Sequence, residues 1–150
     1  MPDILKVNHL SKSFGKVRAV HDLSFEVKKG EILGIIGPNG AGKTTLFNLI
    51  SGELKPDTGE IIFNGKDVAV TQTYKKCRMG IARTYQIPRP FLNMTVLENL
   101  LVGAIYGAGK SYKESKKRCV RILEKTGLSA KSETLVGKLP LLDRKRLELA

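Results

Sequence analysis

Eight consecutive residues carry the strongest chemical signal in this sequence: Gly37-Pro38-Asn39-Gly40-Ala41-Gly42-Lys43-Thr44. They fit the spacing G-x-x-x-x-G-K-[ST]. A triphosphate brings several negative charges and must be held without bulky side chains in the way. Glycines let the backbone curl so that successive N–H groups converge on phosphate oxygens. A helix opening near Lys43 adds the positive end of its dipole. Lys43 supplies a mobile point charge for the β- and γ-phosphates. The Thr44 hydroxyl suits Mg²⁺, and Thr45 reaches the α-phosphate. Gly37, Pro38, Asn39, Gly40, Ala41, Gly42, Lys43, Thr44 and Thr45 are therefore the candidate nucleotide-binding residues. A glycine-rich turn with no ligand is the bland alternative, and the context weighs against it.

That context is a set of elements able to present the loop. Leu23, Phe25 and Val27 alternate with Ser24, Glu26 and Lys28, which predicts a half-exposed antiparallel strand. Ile32-Leu33-Gly34-Ile35-Ile36 is apolar without alternation, which predicts a strand covered on both faces, as in a parallel α/β sheet. Lys43 to Ile50 reads as a helix with Gly52 at its C-terminal cap. Ile61-Ile62-Phe63, Asn64-Gly65 and Lys66-Asp67-Val68 read as a hairpin. A short apolar strand is expected within Arg78 to Tyr85.

The character changes at Pro88 and Pro90. Thr95 and Glu98 form a capping box, so a helix is expected from Val96, with Leu97, Leu100, Leu101, Ala104 and Ile105 on its apolar face. Gly107 and Gly109 should end it. Ser111 and Glu114 form a second capping box, opening a helix that turns Val120, Ile122 and Leu123 inward and stops at Gly127. The division of the chain is expected between 87 and 88.

Composition bounds the rest. The chain has 150 residues, 41% of them hydrophobic and 27% charged, which fits one ordinary globular domain. No apolar run reaches the roughly 18 residues of a membrane helix. The start, Met1-Pro2-Asp3-Ile4, lacks a leader pattern, so a cytoplasmic protein is expected. Cys77 and Cys119 lack metal-ligand spacing and read as reduced packing residues. The net charge of +12 is compatible with nucleic acid, an anionic membrane or nucleotide phosphates. Its densest cluster runs from Lys110 to Arg121, and within it Lys113, Lys116, Lys117 and Arg121 fall at helical spacing and read as a solvated face. No nucleic-acid-binding signature is present, and no nucleic-acid partner is expected.

A phosphate loop alone does not choose among GTPases, kinases, motor ATPases and transporter ATPases. The guanine-reading Asn-Lys-x-Asp signature is absent from this stretch, which favours ATP. The loop from Gly37 to Thr45, with Ser13-Phe14-Gly15 and Ala19-Val20 upstream, resembles the ABC ATPases. The resemblance makes Phe14 the ring that stacks on adenine. It makes Gln86, within Ala82-Arg83-Thr84-Tyr85-Gln86, the glutamine that reaches Mg²⁺ and the attacking water and links the nucleotide to the membrane-spanning partner. Lys43 and Gln86 are then the candidate catalytic residues, Thr44 and Gln86 the candidate metal ligands, and ATP and Mg²⁺ the cofactors.

Met79 to Gln86, Arg89-Pro90-Phe91 and Met94 to Leu100 most resemble the ATP-binding subunits of branched-chain amino acid importers. The fold implied is α/β: a P-loop NTPase core of ABC type with an antiparallel β segment and an inserted helical subdomain, incomplete at the C-terminus. The partners implied are transmembrane permease subunits and a second ATPase subunit, at the inner face of the cell membrane. The alternative is a soluble ABC-type ATPase acting on nucleic acid or ribosomes. A P-loop kinase would need an acceptor-binding lid, which the pattern lacks.

Two departures from the family stand out. Its Leu-Ser-Gly-Gly-Gln signature is matched here by Leu139-Pro140-Leu141-Leu142-Asp143. Pro140 has no N–H, and Asp143 is expected to place negative charge near phosphate; the alternative is that the backbone geometry survives and Arg144 partly compensates. A poor or asymmetric ATP sandwich is expected. The family's later Asp-Glu pair and switch His are not within these 150 residues. His9 and His21 match neither role and read as structural. ATP hydrolysis is expected of a full-length parent. The chain alone is expected to bind ATP weakly without hydrolysing it, and to be marginally stable, because sheet edges stay unpaired.

Overall fold

The computed structural model describes residues 3–150; Met1 and Pro2, part of the start read above for a leader, lie outside them. The chain divides into two compact units, Met1–Ile81 and Ala82–Ala150. The boundary precedes the proline pair because Met79 and Ile81 still pack on the first unit's core.

In the first unit, strands β1 (Asp3–Phe14), β2 (Val17–Lys28), β3 (Thr58–Phe63) and β4 (Lys66–Asp67) form one antiparallel sheet in the order β2-β1-β3-β4. The alternation of Leu23, Phe25 and Val27 holds: they are half-buried while Ser24, Glu26 and Lys28 are exposed. Asn64 and Gly65 both take positive φ, 48° and 74°, which a tight hairpin turn demands.

The β1–β2 ladder bulges where His9 and Asp22 adopt left-handed backbone, φ 49° and 47°. Each displaced N–H donates to a serine hydroxyl on the opposite strand: His9 to Ser24 Oγ at 2.8 Å, Asp22 to Ser11 Oγ at 2.9 Å. The His9 ring nitrogen Nδ1 meets Asp22 Oδ1 at 2.7 Å. His21 Nε2 lies 3.1 Å from Arg18 Nη1.

Helix α1 (Lys43–Ser51) lays Leu46 and Leu49 on the sheet residues Val7, Leu10, Val20 and Ile61 to form the core. Helix α2 (Thr73–Met79), which no sequence signal marked, ends at Gly80 with φ 104°. Two expected strands do not form. Residues 31–38 carry no strand, and Ile32 and Ile36 are each 98% exposed. Only Ile35 packs on the core. Residues 81–85 carry none either, and Arg78 belongs to α2. A strand covered on both faces needs hydrogen-bonded neighbours. Among the described residues the one sheet contains neither segment.

In the second unit, α3 (Val96–Val102) opens with the expected capping box, Thr95 and Glu98 bonding reciprocally. It passes into a π-helical turn, Gly103–Gly107, before the expected glycine stop. Helix α4 (Tyr112–Thr126) carries the second box, Ser111 with Glu114, and ends at Gly127 with φ 69°. Its inner face is Ser115, Cys119 and Leu123, spaced four apart; Val120, expected inward, is 44% exposed. The face of Lys113, Lys116, Lys117 and Arg121 is solvated as read. Two short 3₁₀ turns, Ser129–Lys131 and Val136–Lys138, lead to α5 (Leu141–Leu149). Val96, Leu123, Leu128, Val136, Leu139 and Leu147 form this unit's core. No helix among the described residues is long and apolar enough to cross a membrane.

Candidate functional site

The phosphate loop is built against β2. Gly42 takes φ 80°, and a Cβ there would strike the Ala19 carbonyl, so the position needs glycine twice over. Gly40 also takes positive φ, 83°. The Ala41 N–H donates to Pro38 O at 3.3 Å, which curls the loop, and Leu46 N to Gly42 O at 2.9 Å starts the helix. The first-turn N–H groups of α1 have no intrahelical partner. Its first turn holds no acidic residue, so the positive end of the dipole is uncompensated. Lys43 Nζ folds back to donate to Gly37 O at 2.6 Å and Pro38 O at 2.8 Å, closing the loop on its own carbonyls. A cleft of about 300 Å³ lies beside it, lined by Ala19, Val20, Ile36, Gly42 and Lys43 among others.

Phe14 ends β1 opposite Val17 and is 49% exposed. Two residues beyond Val17 stands the Ala19 carbonyl that backs Gly42. Phe14 and Ala19 therefore belong to the same β1–β2 hairpin, the ring exposed near its turn and the Ala19 carbonyl against the phosphate loop. Lys12 Nζ lies 5.8 Å from the centre of that ring and donates to Asp57 Oδ1 at 2.6 Å.

Gln86 belongs to the second unit, exposed at a bend. The ring of the preceding Tyr85 has two guanidinium groups over it, Arg83 at 4.8 Å and Arg89 at 5.4 Å from its centre. Its backbone N–H donates to Glu148 Oε1 on α5 at 2.7 Å. The loop that follows is held by one side chain: Asn99 accepts from Phe91 N at 2.8 Å and donates to Phe91 O and Thr95 O at 3.0 and 2.9 Å. These residues line a hollow with Pro90, Leu100 and Leu147.

The Leu139–Asp143 stretch corrects one expectation. Helix α5 begins at Leu141, with Pro140 in the cap position and its carbonyl accepting from Asp143 N and Arg144 N, both at 3.1 Å. Asp143 is 5% exposed and points inward, paired with Lys131 Nζ and with Arg146 Nη1 at 3.3 Å. The Lys131 ammonium holds its carboxyl below the usual range. The charge expected near phosphate is therefore neutralised inside the unit. Arg144 does not compensate it either; its Nη2 donates to Gly137 O at 2.8 Å. Leu141 and Leu142 are 60% and 61% exposed.

Phe14 and Gly37 through Thr45 thus lie in the first unit, while Gln86 lies in the second. Sequence reasoning missed Asp57, Glu148 and Lys76, because each acts through a partner more than 20 positions away. Cys119 is buried, which pushes its thiol up, away from reactivity. No cluster of metal-ligating side chains exists among the described residues.

A family profile described as ABC transporter matches residues 20–150. A protein of Methanocaldococcus jannaschii, described as a probable branched-chain amino acid transport ATP-binding protein LivG, is 46% identical over 103 residues, 69% of this chain and 40% of its own length. A ribose/galactose/methyl galactoside import ATP-binding protein, so described from Pseudomonas syringae, is 33% identical over 99% of this chain and 29% of its own. The ADP conformation of MJ1267, an ATP-binding cassette of an ABC transporter, superposes with TM-score 0.83 at 36% identity. It is matched over 99% of this chain and 63% of that one. The chain thus spans less than two thirds of the length of each of these proteins.

Proposed function

The chain belongs to the ABC transporter family, and on that premise we propose that it is the ATP-binding part of a transporter motor that imports branched-chain or other hydrophobic amino acids. One observation carries the reading of the site. Gly42, left-handed and pressed against Ala19, sets the uncompensated start of α1 and the Lys43 ammonium at one glycine-rich loop. Such a loop suits the phosphates of ATP. The solved relative's ADP conformation supports it.

Phe14 stacks on adenine. The N–H groups from Gly37 to Thr45 bind phosphate oxygens. Lys43 leaves the Gly37 and Pro38 carbonyls for the β- and γ-phosphates. The Thr44 hydroxyl, exposed at the start of α1, is a hard oxygen donor that fits Mg²⁺. The metal supplies charge neutralisation at the phosphates. Gln86 answers to the nucleotide and its metal, and its region passes the signal to membrane permease subunits. In a full-length parent, two ATPase subunits trap ATP between them at the cytoplasmic face of the membrane and hydrolyse it there. The transporter reading is favoured over a nucleic-acid ATPase because the relatives above are transport proteins. The amino acid class rests on the 46% relative.

The test is equilibrium binding of a fluorescent ATP analogue with Mg²⁺ to the chain and to Lys43→Ala. Saturable binding lost in the variant is expected; equal binding by both sinks the reading. For the substrate class, uptake of labelled leucine and labelled ribose is compared in cells with and without the gene. A leucine defect is expected, and a defect in ribose alone sinks the amino acid reading.

A further inference from the structure

Strand β1 loses its second backbone neighbour before it reaches Phe14. Its ladder with β3 ends at the pair Ser11 and Thr58. Beyond that point a side chain takes the place of a strand. Asp57 N donates to Ser11 O at 2.9 Å, and both carboxylate oxygens of Asp57 accept from the residues that follow. Lys12 Nζ donates to Oδ1 at 2.6 Å and the Ser13 N–H to Oδ2 at 2.7 Å. The Lys12 ammonium then stands over one face of the Phe14 ring, 5.8 Å from its centre. The Lys12 side chain is only 18% exposed, against 44% for Asp57, so the lysine is the better held of the two.

Two constraints on Phe14 therefore run through Asp57. One fixes the backbone immediately before the ring. The other occupies a face of the ring with a cation, which leaves the opposite face for a base. The Lys12 ammonium and the Ser13 N–H hold the Asp57 carboxyl below the usual carboxylate range, so Asp57 accepts both bonds as a carboxylate at neutral pH.

We propose that Asp57, acting through Lys12 and Ser13, is a positioning residue that orients Phe14 for the adenine ring and thereby sets the base-dependent part of nucleotide affinity. The proposal rests on the reading of Phe14 as the stacking ring. Asp57 has no part in holding the phosphates. It lies in the turn before β3, outside the loop from Gly37 to Thr45.

The experiment is calorimetric titration of the 150-residue chain with ATP and, separately, with inorganic tripolyphosphate, both with Mg²⁺. The variants are Phe14→Ala, Lys12→Met and Asp57→Ala. Loss of the bracket is expected to weaken ATP binding about three- to tenfold and to change tripolyphosphate binding less than about twofold. Unchanged tripolyphosphate binding also reports an intact loop. Should Asp57→Ala fail to fold, Lys12→Met decides, since it leaves the Ser13 bond in place. If Phe14→Ala binds ATP like the parent chain, the stacking reading itself fails. If Phe14→Ala weakens ATP while both bracket variants do not, Asp57 has no positioning role and this inference alone is overturned. Equal weakening of ATP and tripolyphosphate in the bracket variants overturns it too, because the effect is then not on the base.

Discussion

The backbone N–H of Tyr85 is bonded to the carboxylate of Glu148, 63 positions later, at 2.7 Å. The bond ties the residue before Gln86 to the last turn of α5. A hydrogen bond to a charged acceptor contributes about 1.5–3 kcal/mol. Glu148→Ala is therefore expected to speed amide exchange at Tyr85 roughly 10- to 100-fold. Glu148→Gln keeps an acceptor oxygen and should recover most of the protection. Hydrogen exchange read by NMR decides; equal rates in the parent chain and Glu148→Ala would show that the bond does not hold the loop.

Gly42 tests the cradle. Its φ of 80° and the Ala19 carbonyl behind it leave no room for a methyl group. Gly42→Ala is expected to cost about 2 kcal/mol or more of stability and to abolish ATP binding. Gly40 has a similar φ but open space around it, so Gly40→Ala should cost only about 1–2 kcal/mol. Thermal melts of the two variants should differ in that order, and a reversed order would mean the close approach to Ala19 is absent.

Asp143 tests the altered signature. It is buried between Lys131 and Arg146, so Asp143→Asn should lower the melting temperature at neutral pH by leaving both cations uncompensated. The sign with pH follows from its lowered pKa. The contribution is fully present above the ordinary value of 3.8 and is lost as pH falls through the lower folded value. The acid limb of the stability curve should be shallower in the variant. Restoring Ser-Gly-Gly-Gln at 140–143 in a full-length parent should raise ATPase turnover, since bare backbone and a hydroxyl replace Pro140 and two exposed leucines. Because Asp143 also anchors α5, that gain should come with reduced stability. Unchanged turnover would mean that the helix start already serves.

Lys76 is the buried cation of the first unit. Its Nζ donates to Leu49 O at 3.1 Å and Ile50 O at 3.0 Å, at the C-terminal end of α1. Its stem passes over Gly52, where a Cβ would lie 3.1 Å from Cδ. Lys76→Ala is expected to cost about 2 kcal/mol, and Lys76→Met, which keeps the stem, about 1 kcal/mol. Burial lowers its pKa from 10.5. Between the folded value and 10.5 the unfolded chain binds the proton that the folded chain has released, so stability should rise with pH across that window. Chemical denaturation of parent and Lys76→Met across alkaline pH checks this; parallel curves would argue against it.

Sequence alone determined what local chemistry can specify. Gly37 to Thr44 reads as a phosphate loop because the glycines and the lysine act within a few bonds of one another. The capping boxes at Thr95 and Ser111, the Asn64-Gly65 turn and the stops at Gly52 and Gly127 are legible for the same reason. The tertiary structure decided whatever depends on a distant partner. The apolar run Ile32 to Ile36 reads as a buried strand, yet a strand exists only where neighbours donate hydrogen bonds, and the one described sheet has none beside it. Asp143 reads as a charge set against phosphate, yet Lys131, twelve positions away, draws it inward. Asp57, Glu148 and Lys76 carry no motif at all. What they do is fixed by the backbone groups that folding brings to them, and no spacing along the chain encodes those distances.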